Sequence, residues 1–331
     1  MQTKILILVL VLLCNRFTAL AQQDIQFSQY IFNMVNINPA YAGYKGGTNI
    51  NAIYRKQWTG FPGSPQTAAV SADWLTAHRD ERIALSVRVL SDKLGAQETL
   101  SAWGGFTYRI PMSEDGSKRL CLGLGMGVTQ YSIDGNVFQY TDNNDNTIPV
   151  GKASRTQPDA NAGIYYYTPN YYFSVSVSDI LQVNSIKTYN WNGAVFRSML
   201  RSPHLYVGTG TVIPVSDNFK IKPSFMWKED FKGPSNVDLT AFVLLHDVLW
   251  LGASYRTAVR IWNKSHLQDN LEQKDAVSAM AEVFATPWLR IGYSYDFTTS
   301  GLNSYQTGSH EISVSLLFPA NGKRELSPRY F

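Results

Sequence analysis

The feature that most constrains this chain is alternation with a period of two. Leu122, Leu124, Met126 and Val128 alternate with Cys121, Gly123, Gly125 and Gly127. Phe173, Val175 and Val177 alternate with Ser174, Ser176 and Ser178. Ile291, Tyr293, Tyr295 and Phe297 alternate with Gly292, Ser294 and Asp296, and Ile312, Val314, Leu316 and Phe318 alternate mostly with serine. Successive side chains of a strand point to opposite faces, so each segment has one apolar face and one small or polar face. A soluble sandwich and a membrane barrel both satisfy this pattern.

Connection length separates the two. Strand candidates fall near 48–56, 66–74, 82–90, 97–109, 118–131, 160–168, 171–179, 203–214, 218–228, 236–245, 248–257, 275–285, 288–297 and 310–318. One set of links is mostly tight: Pro169-Asn170, Ser216-Asp217-Asn218, His246-Asp247 and Thr286-Pro287, with somewhat longer ones at 75–81 and 112–117. The other set is mostly long: 132–159, 180–202, 258–274 and 298–309. Outer-membrane barrels sort their connections this way and use an even number of strands, whereas a sandwich has no reason to. The expected fold is all-β, a transmembrane antiparallel outer-membrane barrel of about 14 strands spanning 48–318. Lipid offers no hydrogen bonds, so such a sheet must close on itself. Trp74, Trp227, Trp250 and Trp288 fall near strand ends, where indole favours the membrane interface. Glycines 123, 125, 127, 208 and 210 point inward, where they would let the wall bend or admit a plug.

The beginning reads as an export signal over 1–21: Lys4, an apolar run Ile5–Leu13, and a small-residue cleavage site Ala19-Leu20-Ala21. A lipoprotein signal ending at Cys14 is the rival, disfavoured by Leu13 before the cysteine. No later apolar stretch reaches the roughly 20 residues of a spanning helix. The chain carries 29 basic and 25 acidic residues, and losing Lys4 and Arg16 with the leader leaves a net charge of +2. That balance, with no basic stripe, argues against nucleic acid. Only Cys121 would remain, so no internal disulfide can form. Residues 22–47 alternate poorly and carry turn chemistry at Asn38-Pro39 and Gly43, which suits a plug or a segment along the periplasmic rim; a disordered lead-in is the alternative. An even strand count places this segment and the tail 319–331 on the same, periplasmic side, with the long loops outside.

Catalytic chemistry is sparse. His78, His204, His246, His266 and His310 are scattered, and neither a zinc signature nor a nucleophile elbow occurs. Ser265-His266 and Ser309-His310 are adjacent on the chain, and neighbours on a strand point to opposite faces. Gly123-Leu124-Gly125-Met126-Gly127 lacks the spacing of a nucleotide loop and reads as inward strand glycines. The run 142–146 offers oxygen ligands for calcium but lacks the glycine and closing glutamate of an EF-hand, so a solvated outer loop is the better reading. No metal, cofactor or catalytic residue is expected.

Several motifs occur in order: Gln26-Phe27-Ser28-Gln29-Tyr30, Asn38-Pro39-Ala40-Tyr41-Ala42-Gly43, Arg55-Lys56-Gln57-Trp58-Thr59-Gly60 and Ser64-Pro65-Gln66-Thr67. Further along come Lys222-Pro223-Ser224, Leu249–Arg256, Ile291–Asp296, Gly308-Ser309-His310-Glu311 and Ser327-Pro328-Arg329-Tyr330-Phe331. In this order and spacing they resemble the PorP/SprF family of type IX secretion system membrane proteins. The resemblance implies a non-enzymatic accessory of type IX secretion in the outer membrane of a Gram-negative bacterium. Its implied partner is a large exported protein of gliding-adhesin type with a C-terminal sorting domain, held at the cell surface, with periplasmic machine components as further partners. Phe27, Tyr30, Asn38, Pro39, Tyr41 and Gly43 are the candidate plug or partner-contact residues, and Arg55, Gln57, Trp58 and Trp191 the candidate outer-loop contacts. A passive channel for hydrophobic solutes is the competing function; a barrel hydrolase is the third, with no residue to nominate.

Overall fold

The computed structural model describes residues 26–76, 81–138, 151–182, 188–191, 194–197, 202–262, 264, 267 and 274–319. The expected leader, the tail beyond Pro319, the run 142–146, His78 and His266 lie outside these residues.

Fourteen strands close an antiparallel barrel. They are β1 (Gly47–Lys56), β2 (Gln66–Leu75), β3 (Ile83–Leu94), β4 (Gln97–Pro111), β5 (Arg119–Asp134), β6 (Lys152–Tyr167) and β7 (Tyr171–Ser178). After a separate hairpin of β8 (Thr188–Trp191) and β9 (Ala194–Arg197), one barrel strand runs in two parts, β10 (His204–Thr211) and β11 (Ile213–Ser216). The rest are β12 (Phe219–Glu229), β13 (Ser235–Leu245), β14 (Leu249–Val259), β15 (Lys274–Thr286), β16 (Leu289–Thr298) and β17 (Ser309–Pro319). Barrel strands adjacent in sequence pair with each other, and β1 meets β17 in unbroken register from Gly47↔Pro319 to Lys56↔His310. That last ladder removes the open edge that lipid would not tolerate.

The pleat sorts side chains by face. Leu122, Leu124, Met126 and Val128 stand exposed on the outside of β5, while Cys121 and Gly123 face the lumen. The connections sort as well. One rim carries 76–82, 112–118, 168–170, 217–218, 246–248 and 287–288. The opposite rim carries 57–65, 135–151, 179–203, 260–273 and 299–308, with two short exceptions at 95–96 and 230–234. His246 and Asp247 both take positive φ, 52° and 54°, as a tight hairpin with the right-handed twist of its strands requires.

Two elements differ from expectation. Strand β6 starts at Lys152 rather than near 160, paired with Asp134. Its first part, Lys152 to Gln157, carries no apolar alternation, because a strand that has risen beyond the lipid has water on its outer face too. The hairpin β8–β9 sits inside a connection expected to be all loop, and its pairing runs only from Thr188↔Arg197 to Trp191↔Ala194.

Three short 3-10 turns, Tyr30–Phe32, Met34–Asn36 and Pro39–Tyr41, fill the lumen. Their buried residues form one cluster with Tyr165, Tyr172, Met226, Phe242 and Trp250 of the wall. Trp250 therefore corrects an expectation: it is inside the barrel, 5.9 Å from Phe242 and 6.1 Å from Phe32, and not at the membrane interface. Its register puts it on the inward parity of β14, and parity outweighs its nearness to a strand end. Trp74 and Trp227 lie half-buried near strand ends, and Trp288 stands exposed in a turn.

Candidate functional site

The site is the interior of the barrel with the segment that occupies it. Asn38 shows how local chemistry seats that segment. Its side chain accepts a hydrogen bond from the Ala40 backbone N–H at 2.8 Å, capping the turn that begins at Pro39. Its amide then donates to the Ile164 carbonyl and to Ser174 Oγ, both at 2.9 Å. A proline at the first position of the turn has no N–H to satisfy, and Thr107 donates to its carbonyl at 2.7 Å.

The wall is cut away where this turn lies. Gly123 and Gly163 face each other in register on β5 and β6. A Cβ at Gly123 would stand 2.1 Å from the Ala40 nitrogen, and one at Gly163 would stand 2.0 Å from Asn38 Oδ1. Gly292 makes the same room for Gln29, whose Oε1 would lie 2.2 Å from a Cβ there. Gly43, at φ +77°, turns the chain toward β1, and its N–H donates to Asp73 at 2.8 Å.

Charge sits at the other end of the segment. Ser28 and Gln29 donate their backbone N–H groups to Glu311 at 2.9 and 2.7 Å. Arg55 pairs with Asp296 at 2.6 Å and with Glu311 at 3.1 Å, and the Ser28 hydroxyl donates to Asp296 at 2.8 Å. Arg256 bonds Asp238 at 3.0 Å, and Lys228 bonds the same carboxylate at 2.7 Å. All of these groups are buried. The network joins Ser28 and Gln29 to charged residues of six strands. Lower in the lumen, burial pushes the Lys45 ammonium well below the usual lysine range, with Arg290 and Lys222 adding to the effect.

The sequence-nominated residues divide accordingly. Phe27, Tyr30, Asn38, Pro39, Tyr41 and Gly43 are brought together, all buried in the lumen. Arg55 is a correction: it lies on β1 and points inward, 2% exposed, so it is no outer-loop contact. Two residues before the strand end, its parity places it in the lumen. Gln57 and Trp58 do lie on the long-loop rim, half-buried. The Trp58 backbone N–H donates to Ser309 Oγ at 3.1 Å, and the Thr59 N–H donates to the Gly308 carbonyl at 2.8 Å, tying two connections together. Trp191 ends β8, apart from them in the chain's longest connection. The sequence missed Asp296, Glu311, Arg256 and Asp238 as a group. Their shared signal was inward parity, but nothing in a single strand says which charges meet across a lumen. Among the described residues no group of three or more His, Cys, Asp or Glu gathers as a metal site would need.

The segment has a direction. Phe27 packs on Ile53, Ala69 and Leu90, and Ser28 on Arg55, Asp296 and Glu311, all in the strand halves nearer the long-loop rim. Gly43 and Tyr44 reach Asp73 and Tyr167 near the hairpin-turn rim, where β1 begins. The first described residues thus lie at the rim opposite Pro319, which pairs with Gly47. Beside Phe27 a cavity of about 60 Å³ remains, bordered by Ile37, Arg88, Leu90, Trp103 and Tyr206.

A family model described as type IX secretion system membrane protein PorP/SprF matches residues 19–316. No curated protein matches the chain. Among solved structures, a CymD monoaromatic hydrocarbon channel is similar over 88% of this chain and 93% of its own, at 12% identity and a TM-score of 0.54. Omp33, an outer membrane protein of Acinetobacter baumannii, is similar over 82% of this chain and 98% of its own, at 10% identity and a TM-score of 0.45. A Pseudomonas aeruginosa FadL homologue is similar over 91% and 96%, at 11% identity and a TM-score of 0.45. At these identities the likeness is one of fold.

Proposed function

The chain belongs to the PorP/SprF family of type IX secretion system membrane proteins, and we propose that it is an outer-membrane accessory that supports export and surface attachment of a large secreted partner. The partner is of gliding-adhesin type and carries a C-terminal sorting domain. The long-loop rim faces outward and meets it, while the hairpin turns face the periplasm and the secretion machinery. The role is one of docking, without catalysis. The observation that carries this reading is the filled lumen: a wall cut by glycines to fit its own N-terminal segment suits a platform better than a pore.

Deleting the gene tests it. A partner that disappears from the surface, retained in the cell or shed into the medium, is the expected result. Unchanged display of every exported protein with a C-terminal sorting domain would refute the reading.

A passive channel for hydrophobic solutes is the second reading. Its support is the fold shared with the CymD monoaromatic hydrocarbon channel, together with the cavity beside Phe27 and Trp103. Steady uptake of small aromatics by vesicles holding the intact protein, with no protein partner recovered, would favour it.

A further inference from the structure

The cavity beside Phe27 has two unlike walls. On one side Ile37 of the lumen segment, Leu90 of β3 and Trp103 of β4 line it with apolar surface. Arg88 borders it there too, but its guanidinium lies on the Trp103 ring at 4.6 Å and donates to the Asn36 carbonyl. On the other side stand Ser178, the last residue of β7, and Asp179.

This second wall is rich in acceptors and short of donors. Ser178 Oγ, Asp159 Oδ2 and His204 Nε2 have no hydrogen-bond partner, and their residues are 9% exposed or less. Asp159, on β6, lies beside Asp179, and its other oxygen accepts the Leu181 N–H at 3.1 Å. His204 opens β10, with Nδ1 at 3.8 Å from Asp179. That Nδ1–H donates to the Ser202 carbonyl at 2.8 Å, so Nε2 of the neutral ring carries a lone pair. Buried acceptors without donors are costly. Two neighbouring carboxylates also repel unless a proton or a cation joins them.

We propose that the cavity binds an alkylammonium group. Its three N–H donors meet Asp179 and Ser178, with Asp159 adding charge behind them, and its stem lies on Leu90, Ile37 and Trp103. Size agrees. At roughly 10–15 Å³ for each enclosed water, about 60 Å³ takes a solute close to a butylammonium ion. A cavity that encloses benzene is about 150 Å³, so a hydrocarbon ring fits poorly. Among the described residues these side chains do not gather as metal ligands do, which favours a polyatomic cation over a bare ion. Ile37, Arg88, Leu90 and Trp103 keep partial exposure, so a solute reaches the cavity. The group comes either from a free amine or from a lysine side chain of a protein partner.

Saturation-transfer NMR on the purified full chain in lipid nanodiscs tests this, with empty nanodiscs as background. The probes are n-butylammonium, n-butanol and a blocked tripeptide with a central lysine. Folded migration on unheated gels confirms that each variant forms its barrel. n-Butylammonium should bind saturably, and n-butanol about tenfold more weakly or less, because it lacks the charge. Asp179→Asn and Ser178→Ala should weaken n-butylammonium, and Leu90→Trp, which fills the cavity from the apolar wall, should abolish it. Val89→Trp, on the exposed outer face of the same strand, should bind as the natural chain does. If the peptide binds at least as tightly as n-butylammonium, the source is a partner's lysine; if more weakly or not at all, it is a free amine. The proposal falls if no probe rises above background, which leaves a cavity for water. It falls equally if n-butanol matches n-butylammonium, if binding survives Asp179→Asn and Leu90→Trp, or if Val89→Trp loses it as well.

Discussion

A methyl group added at Gly123 would press on the backbone of Ala40 and Pro39, with contacts of 2.1 and 2.5 Å that no side-chain rotation can relieve. Gly104 on the neighbouring strand β4 has nothing within 4 Å of the same position. The pair makes a controlled test. Gly123→Ala should lift the Asn38–Tyr41 turn from the wall, at a cost of about 1–3 kcal/mol of overpacking. Gly104→Ala should change nothing measurable. Protease sensitivity of the N-terminal segment in purified barrel reads the difference, and equal resistance in both variants would sink the idea. Asn38→Ala attacks the same turn by chemistry. It strips the cap from Ala40 and leaves the Ser174 hydroxyl and Ile164 carbonyl without that donor, a loss of about 1–3 kcal/mol. The same proteolysis should show faster cleavage. At this scale the sequence was partly readable. Asn38-Pro39 announced a turn, and the inward parity of Gly123 announced a wall with room. Gly163 did not stand out, because its reason for being glycine is a side chain from a distant part of the chain.

Elements were readable wherever lipid imposes alternation, and unreadable where it does not. β5 and β16 declare themselves because one face must be apolar. The first part of β6 and the β8–β9 hairpin have no lipid beside them, so they leave no such pattern. The charged groups on β1, β14, β16 and β17 show the same boundary from inside. Arg55, Arg256, Asp296 and Glu311 each sit on an inward position near the long-loop end of a strand, and closure of β1 on β17 brings Arg55 to the other three. Arg55→Met should therefore act on several elements at once. It leaves Glu311, 0% exposed, without its cation, and leaves Asp296, 2% exposed, with only Arg256 at 3.9 Å. Breaking a buried pair on one side costs about 3–5 kcal/mol. The expected readout is a lower urea midpoint for the folded, fast-migrating form. Adding Asp296→Asn and Glu311→Gln to Arg55→Met should recover part of the loss. A midpoint unmoved by Arg55→Met would mean that water reaches these carboxylates and screens them.

For the whole molecule, the sorting of long and short connections made a closed barrel of this size legible, and its contents were not. Whether residues 22–47 fill the lumen depends on the volume that a ring of fourteen strands encloses and on which side chains project into it. Neither quantity is written in any one strand. The wall and the lumen segment are also held by different forces. The wall is held by a continuous ladder of backbone hydrogen bonds, including β1 on β17, none of which needs the segment. The segment is held by packing of Tyr30, Phe32, Tyr41 and Tyr44 and by the hydrogen bonds of Ser28 and Gln29 to Glu311. A chain that keeps its leader but lacks residues 22–45 should consequently still close its barrel, because the polar inner wall is compatible with water. The lumen should then conduct. In planar bilayers the full chain is expected to stay closed, and the shortened one to show steady ionic current. If both are silent, the wall blocks itself and the segment is no plug. If both conduct alike, the intact lumen is already a pore and the channel reading gains what the docking reading loses.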